Sequence, residues 1–82
     1  MKTIQIAPYK EDCRIVGNKI IGTMAGRTFV FEIPREYEVY SYQHEYLIKG
    51  FCEAIALCSK QRQVEDLLNN YWQIKGGQFY EI

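Results

Sequence analysis

The stretch Ser41–Cys58 constrains this chain most. Leu47, Ile48, Phe51, Ile55 and Cys58 recur at helical spacing. At about 100° per residue they fall within an arc of roughly 100°. A stripe that wide is core-facing, so the segments around it must supply the surface it packs on. Ser41 is placed to cap the start, because its hydroxyl can accept an otherwise orphaned backbone N–H. His44 stands where a capping box would want Glu. Gly50 interrupts the helix interior at a cost of roughly 1 kcal/mol relative to Ala. It reads either as a tolerated flaw, as a break between two shorter helices, or as a point of close approach by another backbone.

The covering surface is legible upstream. Lys2–Ala7 alternates, with Ile4 and Ile6 on one side, and stops at Pro8, which predicts a first strand. Cys13–Val16, Gly17-Asn18 and Lys19–Met24 predict a hairpin, since glycine tolerates the positive φ of a two-residue turn. Ala25-Gly26 marks a second turn. Thr28–Ile33 is the strongest strand, with Phe29, Phe31 and Ile33 on the face that should meet the Leu47/Phe51/Ile55 stripe and Val30 on the other. Pro34 ends it.

Beyond Cys58 a second stripe appears, Val64, Leu67, Leu68 and Tyr71 at i, i+3, i+4 and i+7. On one continuous helix it would be centred roughly 200° from the first. The chain therefore either breaks near Ser59–Arg62, with Ser59 as a second N-cap, or runs as one long helix serving two surfaces. Gly76-Gly77 predicts the stop, and Gln78–Ile82 a short final strand at the sheet edge. The expected fold is α+β: one domain over 1–82, with an antiparallel sheet of three to five strands packed on one long or two shorter helices. Residues 1–34 form a β-meander, 41–75 the helical region and 78–82 the edge strand.

Composition narrows the class. At 82 residues the chain has room for one small core. Its 48% hydrophobic content argues against disorder. No apolar run approaches the roughly 20 residues of a membrane helix. Met1–Ile6 lacks the continuous apolar region of a signal peptide, so the expected compartment is the cytoplasm. Ten basic and ten acidic residues cancel. Residues 1–35 carry six Lys/Arg against three Asp/Glu, and residues 36–82 four against seven. That split lacks the basic footprint of a generic nucleic-acid binder.

The three cysteines, Cys13, Cys52 and Cys58, form no CxxC pair and are odd in number, which argues against a disulfide framework. They are expected to be inert buried thiols. Cys52 and Cys58 lie about 240° apart around a helix and cannot clasp a metal from one face. His44 is the only histidine. Helical rise puts it about 12 Å from Cys52 and about 20 Å from Cys58, too far for a Cys–His dyad within the helix. There is no GxGxxG, P-loop, HExxH or GxSxG. No enzyme activity, metal or cofactor is expected.

The segment Glu36–Tyr46 holds four Tyr and three Glu in eleven residues. Tyr42 and Tyr46 are i, i+4 neighbours pointing away from the Leu47/Phe51 stripe. Tyrosine combines a large flat contact area with a polar tip and little entropy to lose, which is why interface hot spots are rich in it. The expected partner-binding residues are Tyr37, Glu38, Tyr40, Tyr42, Glu45, Tyr46 and Glu53, facing a protein partner or a second copy of the chain in a homodimer. The bland alternative is ordinary rim packing, with the Tyr hydroxyls reaching water. An acidic, aromatic segment can also imitate nucleic acid and occupy a basic channel, although three or four carboxylates are few for that role.

The profile of a small, neutral chain without catalytic motifs resembles that of phage-encoded inhibitors of bacterial defence enzymes, anti-CRISPR proteins among them. The resemblance is one of size, neutrality and absent motifs, and no residue carries it. It implies a viral, non-catalytic inhibitor of a larger enzyme or complex. Two other readings differ in kind. One is a single-stranded nucleic-acid module that stacks bases on sheet aromatics, with Lys2, Lys10, Arg14, Lys19 and Arg27 on phosphates. The other is a small structural subunit or homodimeric adaptor.

Overall fold

The computed structural model describes residues 12–24 and 26–82. The expected strand Lys2–Ala7 lies outside the described residues. Strands β1 (Cys13–Val16), β2 (Lys19–Met24) and β3 (Arg27–Glu32) lead into a connector, a short 3-10 turn (Ser41–Gln43), helices α1 (His44–Leu57) and α2 (Gln61–Tyr71), and strand β4 (Gln78–Glu81). The described strands form one four-stranded antiparallel sheet in the order β1-β2-β3-β4, with both helices packed against one face. The α+β fold expected from the sequence is therefore what the chain adopts.

The strands follow the expected alternation. Gly17 takes φ +61 in the hairpin turn, and Val16 pairs with Lys19 across it. Register sets Ile20 opposite Phe31, and Phe31 opposite Phe79. These side chains share the inner face with Phe29 and Ile33. Over them lie Leu47, Phe51, Ala54 and Ile55 of α1 and Val64 and Leu68 of α2, forming one core. Phe79 stacks on Phe29 at 5.9 Å between centroids and meets Phe51 at 6.1 Å. Val30 lies on the opposite face as expected, yet it is only 1% exposed. It sits in register between Ile21 and Tyr80.

Of the two expectations for residues 41–75, the break is correct. Cys58 and Lys60 are both extended, and α2 is a separate helix. Two stripes centred on opposite sides of one rod can reach the same sheet only if the chain turns between them. The turn needs no Gly or Pro, and Ser59 is not the cap. Lys60 occupies the N-cap, while the Ser59 N–H and hydroxyl donate to Gln63 Oε1 at 3.2 and 3.4 Å. Ser41 does not cap α1 either. It lies inside the 3-10 turn, where the Tyr40 N–H donates to Gln43 Oε1 at 2.9 Å.

The stop of α2 also differs from expectation. The helix ends at Tyr71, ahead of Gly76-Gly77. Gln73 takes the left-handed conformation (φ 54) that glycine usually fills. The Ile74 N–H reaches back to the Asn69 carbonyl at 2.8 Å, and the Gln73 N–H to that of Asn70 at 3.3 Å. Together they close a Schellman turn. Gly77 serves another purpose. Its N–H donates to Asn69 Oδ1 at 2.9 Å, and Asn69 Nδ2 donates to its carbonyl at 2.9 Å. Nearby, Glu65 Oε2 accepts the Phe79 N–H at 3.0 Å. Side chains of α2 thus take up the Gly77 backbone and the Phe79 N–H where β4 begins, which blunts that end of the strand as a template for strand addition.

The free end of β4 is held by Arg27, whose Nε and Nη2 donate to the two carboxylate oxygens of Glu81 at 2.9 and 2.7 Å. The hydrogen bond from Arg27 holds the Glu81 carboxyl below its ordinary value of 4.5. The folded state therefore binds this proton less readily than the unfolded chain. The stabilisation is complete above pH 4.5 and is lost as pH falls through the lowered folded value. Exposed pairs contribute little. In melting curves against pH, Glu81→Gln should fall a few degrees below wild type at neutral pH, and the gap should close on acidification below that range.

Candidate functional surface

Three local devices position the Tyr/Glu segment. Asn18, in the first hairpin turn, donates from Nδ2 to the carbonyls of Pro34 and Tyr37 at 3.1 and 2.8 Å. This fastens the connector leaving β3. The Tyr37 hydroxyl accepts the Lys75 N–H at 3.2 Å, tying the connector to the chain beyond α2. The Gln43 side chain then fixes Tyr40 at the start of the 3-10 turn.

Downstream of these ties the rings point outward. Tyr40 and Tyr42 stack with centroids 5.6 Å apart and planes within 12°. The Tyr40 hydroxyl donates to Glu38 Oε2, and that hydrogen bond is the main cause of a phenol pKa raised above its usual range. Tyr42 is 80% exposed and Tyr46 56% exposed, whereas Leu47, Phe51 and Ile55 are buried. The 3-10 turn and α1 together show apolar side chains inward and the Tyr42 and Tyr46 rings outward, as the spacing predicts.

The predicted site residues do not all share one role. Tyr37 is half-buried, packs against the core and is tied to Lys75, so it belongs to the scaffold. Glu38, Tyr40, Tyr42 and Tyr46 are exposed along the connector and the start of α1, with Glu45 exposed in the first turn. Glu53 is exposed farther along the same helix.

Two grooves join these positions. One, of about 280 Å³, runs between the connector and the end of α2, with Tyr37, Glu38, Tyr46, Tyr71 and Trp72 among its lining residues. The other, of about 90 Å³, lies between α1 and α2 and is lined in part by Glu53, Leu57, Leu67 and Tyr71. Tyr71 lines both, so the exposed surface continues from Tyr46 through Tyr71 to Leu57. Spacing on an unbroken helix sets Tyr71 on the side of Tyr42 and Tyr46 together with Val64 and Leu68; of these three, only Tyr71 is exposed.

No protein-family model, no characterised protein sequence and no solved structure matches this chain. Its surface must be read from its own chemistry.

That chemistry is aromatic and acidic. Among the described residues no three His, Cys, Asp or Glu side chains gather as a metal-holding cluster. His44 begins α1 half-buried, on the same helix as Cys52. The sheet aromatics Phe29, Phe31 and Phe79 are buried under the helices. No helix among the described residues is long and apolar enough to cross a membrane.

The structure also explains Gly50. It is neither a flaw nor a crossing point for another backbone. The indole of Trp72 lies against it, and a Cβ at this position would stand 2.9 Å from Trp72 Cζ2 and 3.3 Å from Nε1. The ring meets Phe31 edge-on at 5.5 Å on its other side. Trp72 Nε1 is buried without a hydrogen-bond partner among the described residues. Glycine in α1 thus leaves room for the Trp72 indole, which lines the groove between the connector and the end of α2.

Proposed function

We propose that this chain is a non-catalytic binding domain that docks another protein through Tyr40, Tyr42, Tyr46 and Tyr71, with Glu38, Glu45 and Glu53 at the rim. The observation that carries this reading is the outward placement of Tyr42, in the 3-10 turn, and of Tyr46, on α1, whose Leu47/Phe51/Ile55 stripe is already buried. A contiguous exposed aromatic patch rimmed by polar groups is what an interaction site presents. The stacked Tyr40–Tyr42 pair is ordered in advance, which reduces the entropy lost on association. The acidic rim complements a basic surface. Within this class the reading is an inhibitor of a larger enzyme or complex, of the phage anti-defence type, on the profile of size and neutrality described above.

The test is site-specific photocrosslinking in the native cells. A benzophenone side chain at position 42 should give a discrete adduct with another protein, and one at the exposed Thr23 should not. In affinity pull-down of the tagged chain, Tyr42→Ala with Tyr46→Ala should lower capture of the same protein at least about tenfold, the loss expected of two interface tyrosines. Equal labelling from both positions, or capture unchanged by the double substitution, overturns the proposal. An adduct of the chain with itself, accompanied by a dimer in light scattering, would replace the foreign partner with a second copy.

A further inference from the structure

Cys13 and Cys52 are distant in sequence and adjacent in space. Cys13 opens β1 on the inner face of the sheet, and Cys52 follows Phe51 on α1. Their sulfurs are 3.5 Å apart across a separation of 39 residues, with both side chains half-buried against the core. Cys58 is half-buried beyond the end of α1.

We infer that Cys13 and Cys52 form a redox modification site, closing an intramolecular disulfide that staples β1 to α1 when the chain meets a low-molecular-weight disulfide such as oxidised glutathione. A disulfide needs its sulfurs about 2.05 Å apart. Closure therefore asks for roughly 1.5 Å of approach from a pair already in contact. In the first step the thiolate of one cysteine attacks glutathione disulfide, forms a mixed disulfide and expels one glutathione thiolate. In the second, the other cysteine thiolate attacks the protein sulfur, forms the Cys13–Cys52 bond and expels the second glutathione thiolate. The two expelled thiolates take up the two protons lost by the cysteines. The protein is oxidised by two electrons and one glutathione disulfide is reduced to two thiols.

The staple would join β1 to the helix that carries Tyr46. A cross-link that closes a long loop restricts the unfolded chain more than a short one. The test uses the full chain, reduced with dithiothreitol or incubated with glutathione disulfide, then alkylated under denaturing conditions and weighed intact. Oxidised protein should be lighter by two hydrogens before alkylation. It should take up one alkyl group instead of three and yield a peptide pair joined through Cys13 and Cys52. Its melting temperature should rise by roughly 10 °C or more. Cys58→Ser should leave the joined peptide pair and the rise intact, and Cys52→Ser should abolish both. Three alkylatable thiols after oxidation, persistent glutathione adducts, a bond involving Cys58, or a disulfide that lowers the melting temperature would each overturn the inference.

Discussion

Gly77→Ala should lower the melting temperature by about 15 °C, the loss expected from roughly 3 kcal/mol in a domain of this size. A Cβ at this position would lie 2.5 Å from Phe31 Cζ and 2.6 Å from Asn69 Oδ1. Neither neighbour can yield cheaply. Phe31 is fully buried, with Ile20 and Phe79 as its cross-strand neighbours and Trp72 against its ring. Asn69 uses its amide on the Gly77 N–H, the Gly77 carbonyl and the Glu65 carbonyl at once. Displacing it leaves polar groups unsatisfied in a half-buried site, which costs more than the hydrogen bonds are worth in net terms. Gly77 does not have a positive φ. The penalty is therefore one of space, not of backbone conformation. Chemical denaturation of Gly77→Ala and Asn69→Ala would check it, and a Gly77→Ala protein as stable as wild type would show that β4 is not seated as described.

Gly50→Ala is the second large effect, and its sign opposes helix propensity. In an exposed helix interior this change stabilises by up to about 1 kcal/mol. Here the new methyl meets the rigid Trp72 ring at 2.9 Å. Overpacking of that kind costs about 1–3 kcal/mol, so the variant should be less stable by about 1 kcal/mol. The cost should shrink when Trp72 is also changed to Phe, because the smaller ring vacates the space. A double-mutant cycle by urea denaturation should therefore give a coupling above about 0.5 kcal/mol between positions 50 and 72. Gly50→Ala that stabilises the protein, with no coupling to Trp72, would restore the reading of Gly50 as a tolerated flaw.

These two glycines show where the sequence is legible and where it is not. Periodicity reports on one element at a time. It placed Phe29, Phe31 and Ile33 on the inner face and Leu47, Phe51 and Ile55 opposite them, because burial against a single layer leaves a clean repeat. It also placed Gly17-Asn18 in the hairpin turn, where backbone conformation alone selects the residues. It could not pair Gly50 with Trp72, Gly77 with Asn69 or Cys13 with Cys52, since those contacts join different elements. The end of α2 was misread for a related reason. Gly76-Gly77 is the stronger local stop signal, but Gln73 accepts the left-handed conformation within a Schellman turn that closes the helix earlier.

The candidate surface was legible in part. Tyr42 and Tyr46 could be placed outward from helical spacing, because the inward arc was already filled. Tyr37 could not be separated from them, because its role depends on the Lys75 N–H beyond α2. On an unbroken helix, spacing sets Leu57, Val64, Leu68 and Tyr71 on the side of Tyr42 and Tyr46. Leu57 and Tyr71 are indeed exposed, but the break at Cys58–Lys60 turns the other two inward. Val64 and Leu68 are buried in the common core.

The account depends on the exposed tyrosines being surplus to folding. Thermal melting of Tyr42→Ala with Tyr46→Ala measures that directly. Surface changes of this kind alter stability little, so the double variant should melt within about 5 °C of wild type with an unchanged helical spectrum. A variant that unfolds at room temperature, or melts more than about 10 °C lower, would show those rings to be part of the core and would contradict the proposed docking surface.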